Sequence, residues 1–96
     1  MIEYKLYTKS NCAPCSSMKA RLNLLGLSNF VTELDTHESV HRNALIDMGF
    51  RTVPVLVCVD TDYTDGLPFV LNSIQGRSIG HTDEEFEDFF KGMYDE

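Results

Sequence analysis

Two of the three cysteines in this 96-residue sequence stand three positions apart, Cys12 and Cys15, with Ala13 and Pro14 between them. Thiols at this spacing can form a disulfide reversibly or supply two ligands to zinc. A closed structural zinc site needs four ligands, and the third cysteine, Cys58, lies far along the chain with no cysteine nearby. The spacing therefore favours redox chemistry over a metal site.

The residues around the pair predict a helix that begins directly after Cys12. Proline fits the first turn of a helix, where its missing N–H is no loss, so Pro14 places the start at about Ala13 or Pro14. Cys12 would then lie at the positive end of the helix, where free amides favour the thiolate and lower a cysteine pKa from ~8.5 to about 3.5–7.5. Cys15, one turn further in, would be shielded yet able to attack a mixed disulfide on Cys12. We expect Cys12 to be the nucleophile and Cys15 the resolving thiol.

Hydrophobic periodicity predicts that strands and helices alternate along the chain. Apolar residues at every second position indicate strands, and apolar residues three or four apart indicate helices with one buried face. The order βαβα followed by ββα, with a right-handed crossover and a final hairpin, predicts an α/β, thioredoxin-like fold: a small mixed four-stranded sheet flanked by three helices. Strands are predicted at residues 2–7, 30–34, 53–59 and 69–71, and helices after Cys12, Asp35 and Thr82.

Several details of this assignment are open to a structural test. Asp35 with Glu38, and Thr82 with Glu85, have the spacing of the capping box that opens a helix. Residues 72–80 have too little periodicity to assign. The second helix should bury Val40, Ala44, Leu45 and Met48, and the third should bury Phe86, Phe89, Phe90 and Met93.

Pro54 stands at the entrance to the β-branched run 53–59, which is typical of a central strand buried on both faces. A proline there cannot donate a backbone hydrogen bond to the sheet, so its presence indicates a special backbone conformation. A cis Val53-Pro54 bond would be such a conformation. It would leave the Val53 backbone unpaired, so that a substrate chain could bind to it as an added strand. The alternative is a trans proline that simply opens the strand.

Three segments of the sequence together resemble the glutaredoxin family. The second of them is most similar to the glutaredoxin-like redoxins of the NrdH type, which reduce ribonucleotide reductase. The resemblance implies a cis Pro54, a catalytic redox-active pair of Cys12 and Cys15, and a groove for thiol substrates lined by Lys9 and the Thr52-Val53 backbone. The segments are Tyr7 to Cys15, Gly49-Phe50-Arg51-Thr52-Val53-Pro54-Val55, and Gly80 before an acidic helix. The substrate-binding positions implied in this way are Lys9, Arg51, Thr52, Val53, Pro54, Gly80 and Asp83.

The sequence departs from the usual family pattern at two places. Ala13-Pro14 replaces the Pro-Tyr that glutaredoxins usually carry between the cysteines, and Gly80-His81 replaces a Gly-Gly pair. Proline before the second cysteine resembles thioredoxin, whose potential of about −270 mV lies below the roughly −200 to −230 mV of glutaredoxins. We therefore expect thioredoxin reductase with NADPH, ahead of glutathione, as the external reductant. No bound cofactor is required.

The composition of the sequence restricts the possible binding partners and the cellular compartment. The net charge of −7 argues against nucleic acid or an anionic membrane as a partner, because both require a surplus of cations. Residues 1–30 nevertheless hold four Lys and Arg side chains against one acid, so the cysteine pair lies in a basic third of the chain. Length predicts one domain over residues 1–96, which we expect to be a monomer, and the absence of a signal-peptide pattern predicts a cytoplasmic protein.

Two hypotheses from other functional classes, a binding module and a zinc peptidase, compete with the redox interpretation. A binding module could hold a metal, or dock to a partner, through Cys12 and Cys15 without turnover. His37, Glu38 and His41 also match the H-E-x-x-H pattern of zinc peptidases. Such a peptidase needs a third protein ligand and a substrate cleft, whereas here the motif lies in the first turn after Asp35 and Glu38 is predicted to be a capping-box acid.

Overall fold

The computed structural model describes residues 2–60, 69–76 and 80–90. Within them, four strands form one sheet and three α-helices connect or follow the strands. The strands are β1 (Ile2–Thr8), β2 (Val31–Asp35), β3 (Val55–Asp60) and β4 (Phe69–Gln75). The helices are α1 (Ala13–Leu24), α2 (Ser39–Asp47) and α3 (Asp83–Phe89), and a short 3-10 turn (Ser28–Phe30) precedes β2.

The strands lie in the order β2-β1-β3-β4. β1 is parallel to β2, as a helical crossover through α1 requires, whereas β3 is antiparallel to both β1 and β4. The predicted mixed four-stranded sheet, with β3 in its interior, is therefore confirmed. In the described residues no helix is long and apolar enough to cross a membrane.

The strand register brings the cysteine loop and the proline to the same edge of the sheet. Tyr7 is opposite Val55 in the antiparallel pair, so the C-terminal end of β1 lies beside the N-terminal end of β3. The end of β2 is fixed there too, because both the amide and the hydroxyl of Thr36 donate to the Thr8 carbonyl at 2.8 Å. The loops that follow β1 and precede β3 consequently share one rim.

The two faces of the sheet carry separate hydrophobic clusters. The larger cluster joins the sheet to α1 and α3, and the smaller joins it to α2. β3 contributes to both: Leu56 and Cys58 belong to the first cluster, and Val55, Val57 and Val59 belong to the second. A strand alternates its side chains between the two faces, so a nearly unbroken apolar run is what a doubly covered strand needs.

α3 closes the larger cluster. Its N-cap is Thr82, as the sequence predicted, because the Thr82 hydroxyl accepts from the Glu85 amide at 3.1 Å. The Glu85 carboxylate accepts from the Thr82 hydroxyl at 3.4 Å, so the structure shows the Thr82 half of the predicted capping box. Phe86 and Phe90 are fully buried and Phe89 nearly so. The Phe90 ring stacks on Tyr4 with 4.4 Å between centroids. Met93, also predicted on this stripe, lies outside the described residues.

The prediction for the start of α2 is wrong. Asp35 does not cap the helix, because its carboxylate accepts from the His37 amide at 2.9 Å and its carbonyl from the Glu38 amide at 3.1 Å, which makes a local turn. α2 begins at Ser39, with Glu38 as an N-cap that makes no side-chain hydrogen bond. Val40, expected in the core, is 67% exposed: it lies in the first turn of α2, whose buried residue is Leu45 further along the helix.

Two strand boundaries differ from the prediction by more than one residue. β3 begins at Val55, two residues later than expected, because the Val53-Pro54 bond is cis and the chain bends there. β4 runs to Gln75 and includes residues that the sequence left unassigned; its register shifts between Cys58 and Val59, which interrupts the regular alternation. The turn-rich connection predicted between β3 and β4 lies mostly in 61–68, outside the described residues.

Candidate active site

Cys12 is the N-cap of α1, at the position that the sequence predicted for it. Its backbone is extended and its sulfur accepts a hydrogen bond from the Cys15 amide, with 3.2 Å between the two atoms. The first turn of α1 contains no acidic residue. Asn11, directly before it, has a φ of 56°, a left-handed conformation that asparagine tolerates better than most residues. This sharp turn leaves Cys12 partly exposed at the positive end of the helix.

Cys15 lies one turn inside α1 and has a different environment. It is 1% exposed, and its sulfur is bonded to that of Cys12 in a disulfide, with a Cα–Cα distance of 5.2 Å. One sulfur of the pair is therefore accessible and the other is covered. The structure shows the oxidised form of a dithiol pair, and this pairing is what a substrate-reactive thiol and an internal resolving thiol require.

The predicted cis peptide bond between Val53 and Pro54 is present. The Pro54 carbonyl accepts from the Gly76 amide at 2.9 Å, which fixes the bend to the end of β4. The amide and carbonyl of Val53 make no hydrogen bond within the described residues. This unpaired backbone lies at the rim that β1 reaches, where an extended chain could add to it.

A cavity of about 410 Å³ opens at this rim between α2 and the loop before β3, and we call it the basic groove. It includes four of the residues predicted to bind substrate. The groove is lined by Lys9, Thr36, Arg42, Leu45, Ile46, Phe50, Arg51, Thr52 and Val53.

The C-terminal end of α2 explains how the loop reaches the groove. Gly49 has a φ of 94°, and its amide donates to Ile46 while the Phe50 amide donates to Leu45. This pattern is a Schellman motif, in which a left-handed residue reverses the chain at a helix end. Phe50 is thereby returned toward the helix, and the residues that follow it line the groove.

The other three predicted substrate-binding residues, Pro54, Gly80 and Asp83, do not line the basic groove, although Pro54 directly follows Val53, which does. Gly80 is exposed, and the Asp83 carboxylate pairs with the Arg21 guanidinium at 2.6 Å. The same guanidinium donates to the His81 carbonyl at 2.9 Å and lies over the Phe86 ring, 5.2 Å from its centroid. Arg21 therefore connects the last turn of α1 to the first turn of α3. The sequence pattern contained no sign of this contact, because its partners are about sixty residues apart.

Cys58 is buried in the middle of β3, opposite Tyr4. Burial raises the pKa of its thiol, and the neighbouring Tyr4 hydroxyl offsets this only in part. A neutral, inaccessible thiol is a small hydrophobic side chain rather than a nucleophile.

The H-E-x-x-H segment does not form a zinc site in the structure. Glu38 instead pairs with His41, with 2.9 Å between Oε2 and Nε2. Across residues 2–60, 69–76 and 80–90, no group of three or more His, Cys, Asp or Glu side chains is arranged to hold a metal ion.

The sequence missed Arg42 and Ile46 as groove residues. They are four apart on α2, so a correctly placed helix would put both on one face.

Comparisons with known proteins identify the fold of this chain and then its family. The fold is that of thioredoxins: a thioredoxin mutant from Halobacterium salinarum has a TM-score of 0.63 and 18% identity, over 94% of this chain and 73% of that one. Plasmodium falciparum thioredoxin has a TM-score of 0.59 and 13% identity, over 92% of this chain and 70% of that one. The Glutaredoxin family model matches residues 5–63, so the chain belongs to the glutaredoxin family. No curated protein sequence matches it.

Proposed function

We propose that this protein is a cytoplasmic dithiol oxidoreductase of the NrdH type that reduces protein disulfides, with ribonucleotide reductase as the first candidate substrate. Family membership supports thiol-disulfide chemistry in general. The observation that carries the proposal is an N-cap cysteine whose sulfur accepts the Cys15 amide, bonded to a partner that is 1% exposed. A pair of this kind separates the attacking thiol from the resolving thiol.

The proposed reaction starts from the reduced pair. The Cys12 thiolate attacks one sulfur of the substrate disulfide, which forms a mixed disulfide and releases the first substrate thiolate. Cys15 then loses its proton and attacks the Cys12 sulfur, which re-forms the Cys12–Cys15 bond and releases the second. Two electrons and two protons pass to the substrate in total. The helix N-terminus stabilises the Cys12 thiolate as nucleophile and as leaving group.

Substrate contacts are proposed for the rim that holds the cis proline. The Val53 backbone is available for strand-like hydrogen bonds, and Pro54 fixes it beside the end of β1. Lys9, Arg51 and Thr52 lie in the same groove and would contact the chain on either side of the disulfide. For Gly80 and Asp83 a substrate role remains a prediction.

Thioredoxin reductase with NADPH is the proposed source of electrons, ahead of glutathione. Two features favour this choice. Proline precedes the second cysteine, as in thioredoxin, and Asp83 is already paired with Arg21, which leaves this carboxylate less available for the ammonium group of glutathione.

The reductant is tested by supplying each system in turn with a protein disulfide. We expect sustained turnover with NADPH and thioredoxin reductase, and slow turnover with glutathione and glutathione reductase, measured as NADPH consumption. Equal or faster turnover with glutathione would overturn the preference.

A Cys15→Ser variant tests the redox proposal itself. Without its resolving thiol, the protein should retain substrate as a mixed disulfide on Cys12, visible as a mass increase that dithiothreitol removes. Cys58→Ala is the matched control and should release substrate normally. A Cys15→Ser variant that captures nothing under substrate load would favour the binding module.

A further inference from the structure

The basic groove has a charge opposite to that of the whole chain. Lys9, Arg42 and Arg51 line it, and none of the described residues that line it is acidic, although the chain carries 15 acids against 8 Lys and Arg. A cavity lined by one sign of charge concentrates ligands of the other sign. The groove therefore fits an anionic occupant.

The pairing of the cations strengthens this point. Outside the groove, each Lys or Arg that the structure describes lies beside a carboxylate: Lys5 beside Glu3, Lys19 beside Glu33 and Arg21 beside Asp83. The three groove cations have no carboxylate partner within the described residues. In an acidic protein, where partners are plentiful, three unpaired cations in one cavity are free to bind anions from outside.

The same groove also offers apolar surface. Ile46 lies one turn from Arg42 on α2 and is 50% exposed, and Phe50 and Leu45 continue the surface inward. A small anion such as phosphate would leave this surface uncovered. A peptide with both acidic and apolar side chains would cover it.

We propose that the basic groove binds an acidic stretch of the substrate protein next to its disulfide, with an apolar side chain against Ile46 and Phe50 and carboxylates facing Arg42 and Lys9. This inference rests on the proposed function and names its substrate class. Arg42 and Ile46 then determine specificity without touching the reacting sulfurs. The substrate chain would pair with the Val53 backbone and extend from there into the groove.

Glutathione also carries carboxylates, so the experiment must separate the two sources. The prereduced protein is mixed in single turnover with disulfide peptides of equal length whose flanking residues are acidic, neutral or basic, and with glutathione disulfide. At low salt the acidic peptide should react on the order of ten times faster than the neutral one, and salt should shrink the difference.

Arg42→Gln is the diagnostic variant, because the side chain is exposed and its loss leaves the core intact. It should slow the acidic peptide by about two- to five-fold, as expected for one exposed ion pair, and leave the neutral peptide unchanged. Lys5→Gln is the matched control: it removes the same charge from a cation that is paired outside the groove, and it should change neither rate.

Each contrary outcome has a separate meaning. Equal rates for acidic and neutral peptides, or equal effects of Arg42→Gln and Lys5→Gln, would overturn the groove proposal while the redox function stands. Glutathione disulfide that reacts as fast as the acidic peptide, with the same dependence on Arg42, would overturn the protein segment as occupant. Failure to reduce any of the disulfides would refute the redox function itself.

Discussion

The N-terminus of α1 and the middle of β3 each hold a cysteine, in opposite environments. Cys12 is partly exposed, its sulfur accepts an amide hydrogen bond, and the first turn of its helix contains no acid. Cys58 is 6% exposed within an aromatic and aliphatic cluster, and burial raises the pKa of its thiol. The helix end stabilises a thiolate, whereas the strand interior penalises one.

From this difference we expect the reactivity of each thiol to depend on its position in the backbone rather than on neighbouring titratable side chains. Cys12 needs a helix start, which Pro14 and the turn at Asn11 provide. Cys58 is buried because the alternation of side chains along β3 directs it toward Tyr4 and α3. The two cysteines should therefore respond in opposite ways to substitution.

The largest expected effect comes from removing each thiol in turn. Cys12→Ser should abolish disulfide reduction, a loss of at least about 10³-fold, because a hydroxyl at this position is not ionised near neutral pH. Cys58→Ala should retain full activity within about two-fold. Insulin reduction followed by turbidity measures both. Comparable losses in the two variants would remove the distinction between the sites.

The sequence predicted the backbone geometry around Cys12 and Pro54 well because the signals for it are local. The spacing of Cys12 and Cys15, with Pro14 between them, is sufficient to place a helix start, and the position of Pro54 before an apolar run is sufficient to suggest the cis bond that is observed. Neither inference needed knowledge of distant contacts.

Features that depend on distant contacts were not predictable in the same way. The start of α2 was misplaced because an aspartate such as Asp35 can either cap a helix or form a tight turn with the residues that follow it. The sequence around Asp35 fits both conformations, and the structure shows the turn. The unpaired state of Arg42 and the engagement of Asp83 by Arg21 depend on which elements pack together. The groove was therefore only half predicted.

A second, smaller effect is expected when the packing over Cys58 is loosened. Phe90 is fully buried and stacks on Tyr4, which is opposite Cys58, so Phe90→Ala should lower the free energy of unfolding by about 3–5 kcal/mol. It should also speed alkylation of Cys58 in the folded protein, because local opening becomes more frequent. Denaturant unfolding and mass-resolved alkylation measure the two changes.

The matched control for this prediction lies on the other side of the sheet. Val40→Ala shortens a side chain that is 67% exposed, so it should change stability by no more than about 0.5 kcal/mol and leave Cys58 protected. Rapid alkylation of Cys58 in the unmodified protein would show that the strand environment does not protect it.

The smallest effect is the dependence of stability on alkaline pH in the oxidised protein, where Cys58 is the free thiol. Burial raises the pKa of Cys58 and also that of Tyr7. In the unfolded chain these groups ionise near their ordinary values of about 8.5 and 10. The unfolded chain therefore loses protons that the folded protein keeps, and the free energy of unfolding falls as pH rises above about 8.5. Below that pH both contributions are fully present.

The two groups can be separated because their ordinary pKa values differ. Cys58→Ala should flatten the decline in stability that begins near pH 8.5, and Tyr7→Phe should flatten the decline that begins near pH 10, each measured by urea unfolding at a series of pH values. A profile for Cys58→Ala that runs parallel to that of the unmodified protein from pH 8 to 10 would mean that the folded protein does not hold this thiol neutral. Any difference in reactivity between Cys12 and Cys58 would then come from their different solvent exposure and not from a raised pKa of Cys58.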